Sequence, residues 1–142
     1  TYFINKGYSP YDGRMKAMMV IALIPLVVLL APVLGVYSVW FPVVLIGIGA
    51  SAHQAWSANI FTTVSDMFPK KTVASVIGIG GMAGGLGGVF MSKLGGYLFD
   101  YYKALGHIET GYTIMFTICA LAYIVAWVVM KSLVPKMKAV EI

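Results

Sequence analysis

The chain has 142 residues, of which 60% are apolar and only 11% are charged, against about 25% charged in a typical soluble domain. Its charges are segregated, which leaves apolar stretches longer than the ~20 residues a helix needs to cross a bilayer. The formal net charge of +5 is therefore no nucleic-acid footprint, because the basic residues sit in short segments flanking apolar runs.

Residues Thr1 to Lys16 read as a polar lead-in in which Gly7, Pro10 and Gly13 break regular structure. With Thr1 in place of a start Met and no signal peptide ahead of the apolar content, the chain reads as a fragment of a longer one. A first span is predicted over about 15–34, with Pro25 and Pro32 marking a kink. Gly35-Val36-Tyr37-Ser38 is a short uncharged turn, and Pro42 suits the first turn of a second span over about 39–64. The loop Ser65 to Lys71 leads to a third span over about 73–99. A polar loop, Asp100 to Glu109, leads to a fourth over about 110–133, which Pro135 ends. The expected fold class is all-α: a polytopic membrane protein with four transmembrane helices in up-down order and a single membrane region.

Orientation follows from Lys and Arg near the span ends, which are retained on the cytoplasmic side. Lys6, Arg14 and Lys16 precede the first span, Lys70 and Lys71 separate the second from the third, and Lys131, Lys136 and Lys138 close the chain. These segments hold eight of the ten basic residues and share one side; Lys93 and Lys103 belong to the other. Both termini are thus expected in the cytoplasm.

The third span carries seven glycines in the eleven residues from Gly78 to Gly88. Gly80 and Gly84, Gly81 and Gly85, and Gly84 and Gly88 each have the small-xxx-small spacing that lets helix backbones approach closely. At about 100° per residue, Gly78, Gly81, Gly85, Gly88 and Ser92 make one stripe, with Gly80, Gly84 and Gly87 opposite. Such a helix is expected to pack between neighbours. The stripes are either a tight contact or a sliding surface for rearrangement.

The second span carries the densest polar cluster, from Ser51 through His53, Gln54, Ser57 and Asn59 to Thr62 and Thr63. Polar groups at membrane depth commonly line a cavity or a ligand path, although they can equally bond neighbouring helices. Gln54 shares its side with Ser57, Ala58, Phe61, Ala50 and Gly47, small residues for the most part, beside an amide suited to sugar hydroxyls. Gln54 and Ser57 are the first candidates for substrate contact, His53 and Asn59 the next, and Trp56 is read as a packing residue. Lys93 either snorkels to the interface or attracts an anionic substrate. Asp66 and Asp100 are expected to be solvated or interfacial at span ends.

Enzyme chemistry finds no support. No carboxylate lies mid-span, there is no metal-ligand spacing or Ser-Lys dyad, and the single Cys119 gives neither a disulfide framework nor a cysteine metal site. The glycines are no nucleotide loop, since no strand precedes them. No cofactor, metal or nucleic acid is expected; the surrounding partner is membrane lipid.

Three stretches carry a family resemblance: His53-Gln-Ala-Trp-Ser-Ala-Asn59, Val64-Ser-Asp-Met-Phe-Pro-Lys-Lys71, and Val76-Ile-Gly-Ile-Gly-Gly-Met-Ala-Gly-Gly-Leu-Gly-Gly88. The chain resembles the hexuronate permeases of the anion:cation symporter family, within the major facilitator superfamily, most closely over about 47–99. The resemblance implies that the four spans are helices nine to twelve of a twelve-helix transporter in a bacterial inner membrane. It implies uptake of hexuronates of the galacturonate or glucuronate type by proton symport and alternating access, with coupling acids and a carboxylate-binding Arg in the missing N-terminal spans. Where related members place a sugar-contacting polar residue in helix eleven, the nearest position here is Gly81, which shifts weight onto the second span. Gly7 to Lys16 loosely resembles the basic loop between helices eight and nine, but its Gly-to-Asp and Asp-to-Arg spacings depart from that signature. The rival reading is a complete four-helix membrane protein acting as a structural or partner subunit.

Overall fold

A computed structural model describes Gly7 and residues 9–136 of the chain; Lys6 and Lys138, counted above for orientation, lie outside them. The first helix, α1, spans Pro10–Leu23 and begins within the expected lead-in. Pro10 starts the helix instead of breaking it, because its missing N–H would be unpaired at a first helical position in any case. Ser9 caps it by accepting from the Asp12 amide at 3.1 Å, and Gly13 is buried within its second turn. The span then tightens into a 3₁₀ stretch, Ile24–Leu30, and ends in a one-turn helix α2, Ala31–Leu34. Pro25 and Pro32 stand at the starts of these two segments. Each proline removes one backbone bond and crowds the carbonyl four residues before it, so the expected kink takes the form of a change in helix type.

The remaining helices are longer than their apolar cores. α3 spans Trp40–Met67, α4 Lys70–Ala104 and α5 Ile108–Leu133. Between α3 and α4 only Phe68 and Pro69 remain outside the helices, so most of the expected Ser65 to Lys71 loop is helical. The expected Asp100 to Glu109 loop contracts to Leu105–His107, where Gly106 takes a φ of +76°. That left-handed conformation suits glycine, and it lets the His107 amide donate to Tyr102 O at 2.9 Å. Helical bonding continues past the apolar segments because it satisfies backbone groups that a loop would leave to water.

Pro10–Leu34, α4 and α5 are each long and apolar enough to cross a membrane. α3, at 28 residues, is long enough, and its middle holds the polar cluster. At 35 residues α4 is about 52 Å long, well beyond the ~30 Å hydrocarbon core.

The rods run up and down. Arg14 at the start of α1 meets Asp66 at the end of α3, and the Tyr11 hydroxyl donates to the carbonyl of Val134 just past α5. Arg14, Lys70 and Lys131 therefore lie toward one end of the bundle. Its core gathers at that end, where Tyr11, Met15, Met18, Ala22 and Trp56 are buried with Ile60, Tyr123, Trp127 and Met130 packed against them. In lipid, helices associate through such packing and through interhelical hydrogen bonds, not through a drive to leave the solvent.

Helix α4 stands apart. It rests on α5 through its C-terminal half, where Phe99 lies 4.7 Å from the Tyr112 ring and Gly95 faces Met115. The expectation of a glycine helix packed on both sides is not met by these helices. A Cβ built at Gly78, Gly80, Gly81, Gly84, Gly85 or Gly88 finds no described atom within 4 Å. The close approaches fall elsewhere. A Cβ at Gly49 would lie 2.9 Å from Val28 Cγ2, and one at Gly111 would lie 3.2 Å from Leu98 O.

Candidate functional site

Helix α3 turns one face inward. Ala52, Trp56 and Thr63 are buried and, with Gly49 and Ile60, form a stripe against α1, the 3₁₀ stretch and α5. Trp56 packs edge-on to Tyr123 of α5 with ring centroids 5.5 Å apart, as its sequence context implied.

His53 lies beside this stripe. Its Nδ1 shares a hydrogen bond with the Tyr123 hydroxyl at 2.7 Å. The ring is thus partnered across helices, at the border between the packed interior and the open side of α3. Tyr123 escaped the sequence reading because it sits in the apolar run of the fourth span. Its phenol was the available signal, since a tyrosine hydroxyl inside a protein needs a partner.

Most of the remaining polar groups are spent on their own helix. The Asn59 side-chain amide donates to Ala55 O at 2.8 Å, Thr62 to Ala58 O at 2.6 Å and Thr63 to Asn59 O at 2.8 Å. Ser51 donates to Gly47 O at 2.9 Å and Ser65 to Phe61 O at 3.0 Å. Bonds back to the preceding turn are the local choice of hydroxyl and amide side chains where no other partner is near. For Asn59 this engages one of the two N–H groups of the amide with the backbone.

Gln54 and Ser57 differ. Among the described residues neither side chain makes a hydrogen bond, and Gln54 is exposed while Ser57 is half-buried. At about 100° per residue, Gln54 points some 160° from the centre of the buried stripe, and Phe61, Ala50, Ala58 and Gly47 share its side. Ala50, at the edge of that side, still borders a space shared with α5, whereas Gln54 itself is exposed.

A concave, partly open space does exist, but Gln54 does not line it. A cavity of about 280 Å³ is walled by Pro25, Val28, Gly49, Ala50, Cys119 and Tyr123. Its lining is almost wholly apolar and offers no charge to a carboxylate. Among the described residues no group of three metal-ligating side chains comes together.

At the basic end, Arg14 Nη2 donates to Asp66 Oδ2 at 2.6 Å. Asp66, expected to be solvated or interfacial, is part-exposed and forms an ion pair between α1 and α3. The Asp12 carboxylate accepts from the Ser9 hydroxyl at 2.7 Å, so Asp12 and Arg14 have separate partners.

Four long, largely apolar helices, with their polar groups turned onto one another or onto one open face, define an integral membrane protein. The sequence model of the Major Facilitator Superfamily matches residues 11–141, which is most of the chain. The chain belongs to this superfamily, whose members are transporters and not enzymes. No match was found among curated proteins or among solved structures.

Proposed function

We propose that this chain is part of a secondary active transporter that takes up hexuronates by proton symport and alternating access. The observation that carries the reading is the contrast within α3. Ser51, His53, Asn59, Thr62, Thr63 and Ser65 are all bonded, while the Gln54 and Ser57 side chains stand unbonded, Gln54 on the side opposite the buried stripe. An amide and a hydroxyl set among small residues can replace water around sugar hydroxyls. The resemblance of residues 53–59, 64–71 and 76–88 to hexuronate permeases supplies the substrate class. His53 borders the same face, and Asn59 keeps one N–H and its carbonyl oxygen beyond the bond to Ala55 O.

The open sides of α3 and α4 are surfaces for further spans of the same polypeptide. Gly78, Gly80, Gly81, Gly84, Gly85 and Gly88 then serve a helix contact that these four helices do not supply. The coupling proton is bound by residues of those other spans, since no carboxylate lies mid-span here. The protein sits in a bacterial cytoplasmic membrane with both ends of this segment on the basic, cytoplasmic side.

Uptake into proteoliposomes of the full-length protein tests the reading. An inward proton gradient should drive accumulation of labelled galacturonate, and unlabelled glucuronate should compete. Transport of hexuronate with no response to the gradient would remove the symport; no hexuronate transport at all would remove the substrate class.

A further inference from the structure

The bond between His53 and Tyr123 fixes more than the angle of a ring. In a neutral imidazole one nitrogen carries a proton and the other accepts one, and the bond made by one nitrogen sets the state of the other. The 2.7 Å bond between Nδ1 and the Tyr123 hydroxyl can be made in two ways. Either Tyr123 donates to a bare Nδ1, or Nδ1–H donates to the phenol oxygen.

The surroundings choose between them. Tyr123 is half-buried, with its ring edge-on to Trp56, and it lines the apolar cavity of Pro25, Val28 and Phe116. Among the described residues His53 is the one hydrogen-bond partner of its hydroxyl. The cavity adds only the Cys119 sulfur, a weak acceptor. Were Nδ1–H the donor, the phenol O–H would be left without a good acceptor, and an unpaired polar group in apolar surroundings is disfavoured. With Tyr123 donating, the imidazole proton sits on Nε2. That nitrogen makes no hydrogen bond among the described residues, and His53 is exposed at the border of the open side of α3. Ser57, whose side chain is likewise unbonded, follows four positions later on the same flank.

We propose that Tyr123 is a positioning residue that holds His53 as its Nε2–H tautomer, so that Nε2–H and Ser57 together meet an oxygen of the substrate beside Gln54. That this oxygen belongs to a sugar acid rests on the transport reading above; the tautomer does not. A neutral N–H donor binds without taking up a proton, so the pair adds recognition and leaves proton coupling to other spans.

Nitrogen-15 NMR reads the tautomer directly, on the full-length protein labelled at histidine and reconstituted in lipid at a pH of about 8, above the ordinary imidazole range. His53 is assigned by the signals lost in His53→Gln. The expected wild-type ring has a protonated Nε2 and a bare Nδ1, and Tyr123→Phe should release it to a mixture of tautomers. A wild-type His53 with its proton on Nδ1, or with protons on both nitrogens, overturns the proposal whether or not hexuronate is carried. Calorimetry with galacturonate reads the consequence. His53→Gln, whose amide falls near the place of Nε2, should bind about two- to tenfold more tightly than His53→Asn, whose amide falls near Nδ1. Tyr123→Phe should weaken binding by a similar factor in the wild type and add nothing in His53→Gln. Equal affinities of the Gln and Asn variants, or an equal loss from Tyr123→Phe in both backgrounds, overturn the positioning role. If Tyr123→Phe fails to fold, the wild-type spectrum and the Gln and Asn pair decide. If the wild type binds no galacturonate, the substrate reading falls and the spectrum alone decides for or against the tautomer.

Discussion

Arg14 and Asp66 are 52 positions apart in the chain and meet at 2.6 Å, which joins the second turn of α1 to the last turn of α3. Their side chains are 25% and 33% exposed, so water and salt reach the pair and its static worth is small. Exposed pairs of this kind contribute about 0.2–1 kcal/mol. Reversing one charge should therefore lower the melting temperature of the full-length protein slightly, and the swapped pair Arg14→Asp with Asp66→Arg should restore it. A double-mutant cycle at low and high salt measures the coupling, which should shrink as salt rises. Additive effects of the two single changes would mean that the contact contributes nothing.

The glycines that hold this unit together are expected to be Gly49 and Gly111. A side chain at either position is forced against Val28 Cγ2 or Leu98 O, and overpacking of this kind costs about 1–3 kcal/mol. Gly49→Leu and Gly111→Leu should each reduce the thermal stability of the full-length transporter in detergent. Full stability in both variants would contradict the contacts described.

Gly84 is expected to matter through spans outside this chain. Gly84→Leu should impair assembly or turnover of the full-length protein far more than Leu86→Ala, although both positions are exposed here. Expression level and uptake rate read the difference, and equal tolerance would remove the role proposed for the glycine face.

For the substrate face, Gln54→Leu should weaken hexuronate binding about tenfold or more. A polar group left unpaired in the binding cavity costs about 1–3 kcal/mol, and about 1.4 kcal/mol is a factor of ten. Thr63→Val should change affinity little, because Thr63 is buried and donates only to Asn59 O. His53→Asn should cause an intermediate loss, and Tyr123→Phe should reproduce part of it by removing the hydroxyl that holds the ring. Unchanged affinity in Gln54→Leu, measured by calorimetry on normally expressed protein, would assign the cavity to another face of α3.

Topology is open to direct labelling. Cysteine at Ala104 in a Cys119-free background should react with an impermeant thiol reagent in intact cells, and cysteine at Lys71 should not. The reverse pattern would invert the orientation drawn from the lysines.

The sequence by itself determined the class of protein, the helices and which of their ends share a side. Apolar length, breaker residues and flanking lysines are local properties, and a membrane leaves a chain of this hydropathy few alternatives to the helix. Even so, the lead-in from Pro10, the run Ser65 to Met67 and most of the Asp100 to Glu109 loop proved helical, because capping and backbone bonding extend a helix past its apolar segment. Only the tertiary structure decided which side of α3 is buried, that Tyr123 answers His53, that Asp66 answers Arg14, and that Gly49 and Gly111 are the tight contacts while Gly78 to Gly88 are not. Small-residue spacing marks where a backbone can be approached closely, but whether another helix lies there depends on the crossing of residues tens of positions apart. That information is carried by the packing of Trp56, Tyr123, Met15 and Met18 as a group and by no single stretch of sequence.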